Sequence, residues 1–206
     1  MPETRKGLTA AQRFAKRAFD LLLAVFGLAL TFWIILIVWL LASLETYKNG
    51  FFCQARVGRN GRIFKVIKIR TMGDVQGINS PVTTLTDQRI TRLGRIWRWA
   101  RIDELPQLIN VLKGDMSFVG PRPDVPGYAD KLSGKDRIIL SVRPGITGPA
   151  TLKYQDEEIL LEARENPEKY NDEVLWPDKV RLNRAYVENW SFLKDLRYIW
   201  QTVVKA

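Results

Sequence analysis

RWARIDELPQLINVLKGDMSFVGPRP, Arg98 to Pro123, sets two adjacent acids between an arginine cluster and a proline-flanked arginine. Leu105, Leu108, Ile109 and Leu112 fall at i, i+3, i+4 and i+7, which predicts a short helix from Glu104 to Lys113 with one buried face. Asp103 is then its predicted N-cap. Pro106 falls in the first turn, where a proline removes no helical hydrogen bond, and Lys113-Gly114 supplies the C-terminal charge and stop.

Asp103 and Glu104 therefore lie where unpaired amides and the helix dipole favour negative charge, with Arg95, Arg98 and Arg101 just upstream, and both are expected to be ionised. Such a carboxylate suits attack on phosphorus or ligation of a hard cation such as Mg²⁺. A capping acid followed by a first-turn acid gives the same pattern without chemistry. Downstream, Arg122 stands between Pro121 and Pro123, whose fixed φ angles present it with little freedom, as binding of a phosphate or a nucleotide base requires. A proline-rich turn leaving the helix is the plainer account of the same residues.

The chain has 206 residues, 46% of them hydrophobic, enough for one compact domain plus an anchoring segment. A net charge of +10 points to an anionic partner, whether nucleic acid, anionic lipid or phosphorylated substrate. With no histidine, Ser-His-Asp, Cys-His and His-ligated zinc chemistry are excluded, leaving carboxylates, Lys, Arg and Tyr. The lone Cys53 excludes an intramolecular disulfide, and its apolar run FFCQARVG reads as a buried strand.

Met1 to Asp20 reads as a basic helix on a membrane surface, carrying Arg5, Lys6, Arg13, Lys16 and Arg17 among Phe14, Ala15, Ala18 and Phe19. Leu21 to Leu44 is an uncharged, mostly apolar run long enough to cross a bilayer as a helix. Both flanks are cationic, and the positive-inside rule draws both to the cytoplasm, which a helix that enters one leaflet and returns satisfies. Asn60-Gly61 is a hairpin turn pairing Phe51 to Val57 with Arg62 to Arg70. Gly73 to Arg89 reads as a polar loop leading to a helix from Ile90 to Trp99, in which Arg92, Arg95 and Arg98 share a face while Ile96, Trp97 and Trp99 enter apolar surroundings. Val180 to Trp190 and Ser191 to Val204 are the last two helices, the second with a stripe of Phe192, Leu196, Ile199, Trp200 and Val203 facing a core or a membrane interface.

Taken together, these features resemble the bacterial sugar transferases known as monotopic phosphoglycosyl transferases. DELPQLINVLKGDMSFVGPRP is close to that family's core motif, with KIRTM (Lys68 to Met72) upstream, RPGITG (Arg143 to Gly148) downstream, and a return of similarity near YVENWSFLKDL. The resemblance implies an α+β fold: a small, mainly helical catalytic domain with a β-hairpin over 46–206, anchored by an N-terminal re-entrant membrane helix within 1–45. It implies transfer of a sugar 1-phosphate from a UDP-sugar, of the N-acetylated hexosamine type, to polyprenol (undecaprenol) phosphate with release of UMP, at the cytoplasmic face of the bacterial inner membrane. Asp103 would be the nucleophile and Glu104 its dyad partner. Lys68, Arg70, Arg98, Arg122 with Pro121 and Pro123, and Arg143 with Gly145 would bind substrate. Mg²⁺, or Mn²⁺ in its place, would be held by Asp103, with Glu104 as an alternative ligand, because a carboxylate attacking a diphosphate meets strong charge repulsion.

The sequence departs from the family in two places. Where the family bends its membrane helix at Ser-Pro this chain has Phe32-Trp33, leaving Gly27 or Thr31 as the site of a kink, and beyond Gly148 the usual Gln-Val-x-Gly-Arg stretch is replaced by a charged helix and loop. A rival reading, a non-catalytic basic protein on anionic lipid or nucleic acid, fits the charge and the anchor. It leaves two acids at the centre of a cationic site, where they would weaken polyanion binding, and the transferase reading involves no nucleic acid.

Overall fold

The computed structural model of the chain describes residues 7–74 and 87–205; Arg5, Lys6 and most of the predicted Gly73–Arg89 loop lie outside them. The basic segment and the apolar run, read separately from sequence, form one helix, α1, over Ala10–Thr46. A reciprocal cap opens it: the Thr9 hydroxyl accepts from Gln12 N–H at 3.3 Å and the Gln12 carboxamide accepts from Thr9 N–H at 2.9 Å. The helix runs through Phe32-Trp33, and just before them the Thr31 hydroxyl donates to the Gly27 carbonyl at 2.7 Å, satisfying a polar group on an apolar helix.

One face of α1 is buried at Lys16, Asp20, Ala24, Ile35, Val38 and Ala42, all at helical spacing. The other exposes Leu22, Val25, Phe26, Leu30, Trp33, Ile37 and Leu44, and α1 is long and apolar enough to cross a membrane.

Strands β1 (Phe51–Val57) and β2 (Ile63–Ile69) form the expected antiparallel hairpin, in register from Phe51↔Ile69 to Val57↔Ile63. Asn60 and Gly61 both take positive φ, 59° and 77°, as the tight turn requires. Cys53 is exposed, not buried as its apolar neighbours suggest, because β1 pairs only with β2 and its outward face has no second layer. Helix α2 covers Arg92–Trp99, starting after Ile90 because Ile90 bridges Met72 and Thr91 caps the helix by accepting from Gly94 N–H at 3.0 Å. Of its apolar residues Trp97 is buried and Leu93 packs against the same cluster, whereas Ile96 and Trp99 are exposed.

The acid pair is not placed as predicted. Ile102–Glu104 is a separate 3₁₀ turn, entered through Arg101 at φ 53°, and helix α3 begins only at Gln107 and ends at Lys113. Pro106 has no N–H and interrupts the ladder between turn and helix, so Asp103 caps nothing and lies buried inside the turn. The predicted stripe of α3 is also shifted: Gln107, Leu108, Asn110 and Val111 are buried, while Leu105, Ile109 and Leu112 are partly exposed. The cause is a wedge position, with α3 packed between α1 and β2.

Beyond α3, strand β3 (Ser117–Val119) pairs in parallel with β4 (Gly145–Thr147). Short helices α4 (Pro149–Lys153), α5 (Glu157–Glu162) and α6 (Pro167–Tyr170) follow, and α6 feeds α7 (Trp176–Glu188) through a wide π turn over Asn171–Leu175. Helix α8 (Phe192–Lys205) has the expected cap, Lys194 N–H donating to the Ser191 hydroxyl at 3.3 Å. Its buried residue is Asp195, and Leu196, Trp200 and Val203 of its stripe are exposed. The core runs along α1. Leu8 packs with Val119, Val142, Tyr186 and Val187; Ala24 with Val66, Val111 and Met116; Val38 and Ala42 with Ile69 and Trp97.

Asn110 fixes the wedge. Its carboxamide accepts from Ile67 N–H at 2.9 Å and donates to the Lys65 carbonyl at 2.8 Å, standing in for a third strand along β2. Asn110→Ala leaves these buried backbone groups unpaired and is expected to destabilise the chain by about 2–3 kcal/mol. Thermal denaturation of the detergent-solubilised protein checks this, and a Tm equal to that of the parent counts against it.

Candidate active site

Three chain segments, β2, the end of α2 and the proline loop, bring cations to the acid pair. Lys68 on β2 donates to Glu104 Oε1 at 2.8 Å, and Arg122, presented between Pro121 and Pro123, donates to the same oxygen at 3.0 Å. Both cations hold the Glu104 carboxyl well below the usual carboxylate range, against the burial that would raise it. Arg122 is correspondingly held above the usual guanidinium range by Glu104.

Asp103 behaves differently. Burial raises its carboxyl from 3.8 to about 6, and the Glu104 charge adds to the rise, while Lys68, Arg98 and Arg122 work against it. Both acids are thus ionised at neutral pH, as expected, but unequally held: Glu104 is fixed as an anion, whereas the Asp103 carboxyl lies at about 6. The Asp103 carboxylate accepts no hydrogen bond among the described residues.

Arg98, at the end of α2, pairs with Glu158 on α5. Glu157, its neighbour, takes Lys179 of α7 at 2.6 Å. Asp124, next to the proline loop, is raised from 3.8 to about 6 by burial, with Lys179, Arg56 and Arg122 opposing. Arg56 donates to the Pro123 carbonyl at 3.1 Å and steadies the loop. The cluster thus joins Lys68, Arg98, Arg122, Arg56 and Lys179 to Asp103, Glu104, Asp124, Glu157 and Glu158. Of these, Arg56, Asp124, Glu157, Glu158 and Lys179 were missed from sequence. Asp124 had a usable signal in its adjacency to Pro121-Arg122-Pro123; the others come from segments whose docking no local pattern encodes.

Three expected residues are placed elsewhere. Arg70 stays on its own hairpin, donating to the Asn49 carbonyl at 2.8 Å and lying over the Phe52 ring. Arg143 donates to the Gly114 carbonyl at 2.7 Å, at the far end of α3 from the acids, with Arg17 and Arg59 as its charged neighbours. Gly145 is approached by backbone rather than by a ligand: a Cβ there would come within 2.1 Å of Gly120 N, so glycine is needed for β4 to pack on the loop leaving β3. Among the described residues no group of three or more Asp, Glu, Cys or His side chains forms a metal cage. Asp103 still suits Mg²⁺ in the mode where one carboxylate and substrate phosphates share the ion.

Asp103 also sets a pH dependence. Its folded pKa, about 6, lies above the ordinary value of 3.8, so the stabilisation of its protonated form is complete below 3.8 and lost as pH rises through about 6. Asp103→Asn cannot ionise. Its stability advantage over the parent should open across that interval to the order of 2–3 kcal/mol and stay flat above it; a gap that does not change with pH contradicts the buried, unpaired carboxylate.

The model of the family described as bacterial sugar transferase matches residues 11–206. The chain is 39% identical, over 93% of its length and 86% of the other protein, to the uncharacterized sugar transferase EpsL of Bacillus subtilis (strain 168). It is 41% identical, over 72% of its length and 83% of the relative, to a putative undecaprenyl-phosphate N-acetylgalactosaminyl 1-phosphate transferase of the same organism. A UDP-glucose:undecaprenyl-phosphate glucose-1-phosphate transferase of Caulobacter vibrioides (strain ATCC 19089 / CIP 103742 / CB 15) matches at 35% identity over 91% of this chain and 68% of its own. With a family match over nearly the whole chain and the acid pair, proline loop and long apolar helix assembled in one domain, the chain belongs to the bacterial sugar transferase family and is a transferase.

Proposed function

We propose that the chain transfers a sugar 1-phosphate from a UDP-sugar to polyprenol phosphate, with Asp103 as the nucleophile. The observation that carries this is the contrast within the acid pair: a buried carboxylate free of hydrogen bonds, ringed by Lys68, Arg98 and Arg122, beside a neighbour whose charge is already neutralised. An Asp103 oxygen forms a bond to the β-phosphorus, the bond from that phosphorus to the bridging oxygen breaks, and UMP leaves with the bridging oxygen. A phosphate oxygen of the acceptor then attacks the same phosphorus and the Asp103 carboxylate departs, so the enzyme is restored without net proton transfer. Glu104, held ionised, is a poor proton donor and serves as a positioning residue for Lys68 and Arg122. Relatives named for glucose and for N-acetylgalactosamine match at comparable identity, so the donor is proposed as a UDP-hexose or an N-acetylated amino form of one.

A divalent cation belongs to this reading. The cations of the cluster are matched by as many carboxylates, so the side chains leave little positive charge over for a diphosphate. Asp103 would hold Mg²⁺ or Mn²⁺, whereas Glu104 Oε1 is already taken by two cationic donors. When bound, the ion neutralises charge on the transferring phosphate.

Radiolabelled UDP-sugars, with and without undecaprenol phosphate, test the scheme. The parent should become labelled without acceptor and release UMP, Asp103→Asn should do neither, and excess chelator should abolish both. Normal turnover of Asp103→Asn would overturn the covalent step, and full activity in chelator would overturn the metal.

The same proposal places α1 in one leaflet of the inner membrane with the domain on the cytoplasmic face, where UDP-sugars are made. Contacts between α1 and the domain run from Lys16 to Ala42, about 39 Å of helix. A bilayer's hydrocarbon core is about 30 Å thick, so a helix crossing it outright could not keep one polar domain alongside throughout. Cysteines introduced singly by Thr4→Cys and Tyr47→Cys, in a Cys53→Ser background, should both resist a membrane-impermeant thiol reagent in intact cells. Labelling at position 4 alone would mean that α1 spans the membrane.

A further inference from the structure

At the other end of α3, against the first turns of α1, lies a small, open cleft lined by Arg13, Arg59, Arg143 and Ser141, with Lys16 and Asp20. Three separate segments bring the arginines together: α1, the β1–β2 turn and the approach to β4. Arg17 adjoins them, donating to the Val111 carbonyl at 2.6 Å and the Leu112 carbonyl at 3.0 Å, so that it and Arg143 occupy the last carbonyls of α3. Arg143 is pushed below the usual guanidinium range by burial and by the charges of Arg17 and Arg59.

Lys16 and Asp20 are satisfied inward, by Asp195 and by Ser117 and Phe118. The guanidinium groups of Arg13 and Arg59 make no hydrogen bond or ion pair among the described residues. Independently, the Ser141 hydroxyl on the same wall is buried without a hydrogen-bond partner among the described residues. Crowded arginines beside an orphaned hydroxyl require an anion with several acceptor oxygens, and a phosphate group meets that need.

The place of the cleft identifies the source. Phe14, next to Arg13, is 77% exposed, and the outward apolar face of α1 begins with Leu21 and Leu22, immediately beyond Asp20. The acid pair lies at the opposite end of α3, where Ile102 packs against the cluster of Val38, Ala42, Ile69 and Trp97, while Arg17 and Arg143 hold the last carbonyls of α3. We propose that this cleft is a second anion site, separate from the transfer site, that takes the phosphate of an anionic membrane lipid where α1 enters the bilayer.

Thermal unfolding of the full chain in an uncharged detergent, without sugar nucleotide, tests this through ligand stabilisation. Dihexanoyl phosphatidylglycerol should raise Tm saturably and dihexanoyl phosphatidylcholine should not. Arg13→Ala/Arg59→Ala should shift the midpoint to about tenfold higher lipid or more, Arg13→Lys/Arg59→Lys should restore most of the response, and Arg122→Ala should leave it intact. An unchanged midpoint in the double alanine variant overturns the site, as does an equal loss in Arg92→Ala/Arg95→Ala, which removes two exposed arginines elsewhere. Inorganic phosphate acting at the same concentration as phosphatidylglycerol, and losing its effect in the same variant, overturns the lipid as occupant.

Discussion

Lys16 and Asp20 carry charge onto the buried face of a helix that is otherwise apolar there, and each is matched by a different part of the domain. Lys16 meets Asp195 at 2.5 Å, and that carboxylate also accepts from the Tyr186 hydroxyl at 2.8 Å and the Trp190 indole at 3.0 Å. Asp20 accepts from the Ser117 hydroxyl at 3.1 Å and Phe118 N–H at 3.0 Å. An uncompensated charge in such surroundings costs several kcal/mol, so a one-turn slip of α1 against the domain is strongly disfavoured. The register so fixed then propagates: Ala24 meets Val66, Val111 and Met116, Gly27 meets Leu108, and Val38 and Ala42 meet Trp97. The wedge of α3, and with it the acid pair, follows from where α1 is held.

Within the site the decisive effect is the unequal sharing of two cations by adjacent acids. Lys68 and Arg122 converge on one oxygen of Glu104, and their charges, with their hydrogen bonds, together outweigh its burial. Asp103, one residue earlier on a tight turn, receives only their longer-range attraction, and burial wins. A desolvated carboxylate with its lone pairs uncommitted is a stronger nucleophile than a solvated one. The 3₁₀ turn is what makes this division possible, because a regular helix with Asp103 as its cap would have committed that carboxylate to backbone N–H groups.

How much of this was legible in the sequence depends on the range of the interaction concerned. The hairpin at Asn60-Gly61, the stop at Gly114, the cap at Ser191 and the apolar run are set by a few neighbouring residues, and they fall where the sequence puts them. Pro106 was read correctly as compatible with a helix start. Its missing N–H nevertheless separates the acids from α3. Cys53, Ile96 and Trp99 were misjudged because exposure depends on whether a second layer covers the element. Lys68 and Arg122 could be tied to the acids by motif, whereas Arg143 and Gly145, in a motif that looks equally specific, serve the far end of α3 and the close approach of two backbones.

The segment after Gly148, where the chain leaves the familiar pattern, is the one that completes the cluster from outside. Its helix α5 brings Glu158 to Arg98, and Glu157 to Lys179 beside Asp124. Neither ion pair includes Asp103, whose charged neighbours are Lys68, Glu104, Arg98 and Arg122. In the proposed reaction a donor phosphate that engages Arg98 would have to displace Glu158 from the same guanidinium, so that ion pair would enter the free energy of donor binding. On the proposed mechanism, variation in this segment would act on how the donor is held rather than on the carboxylate that attacks. The acid-pair motif and this segment thus bear on different parts of the proposed reaction: the motif supplies the attacking carboxylate, and the segment the surroundings of a donor-holding arginine.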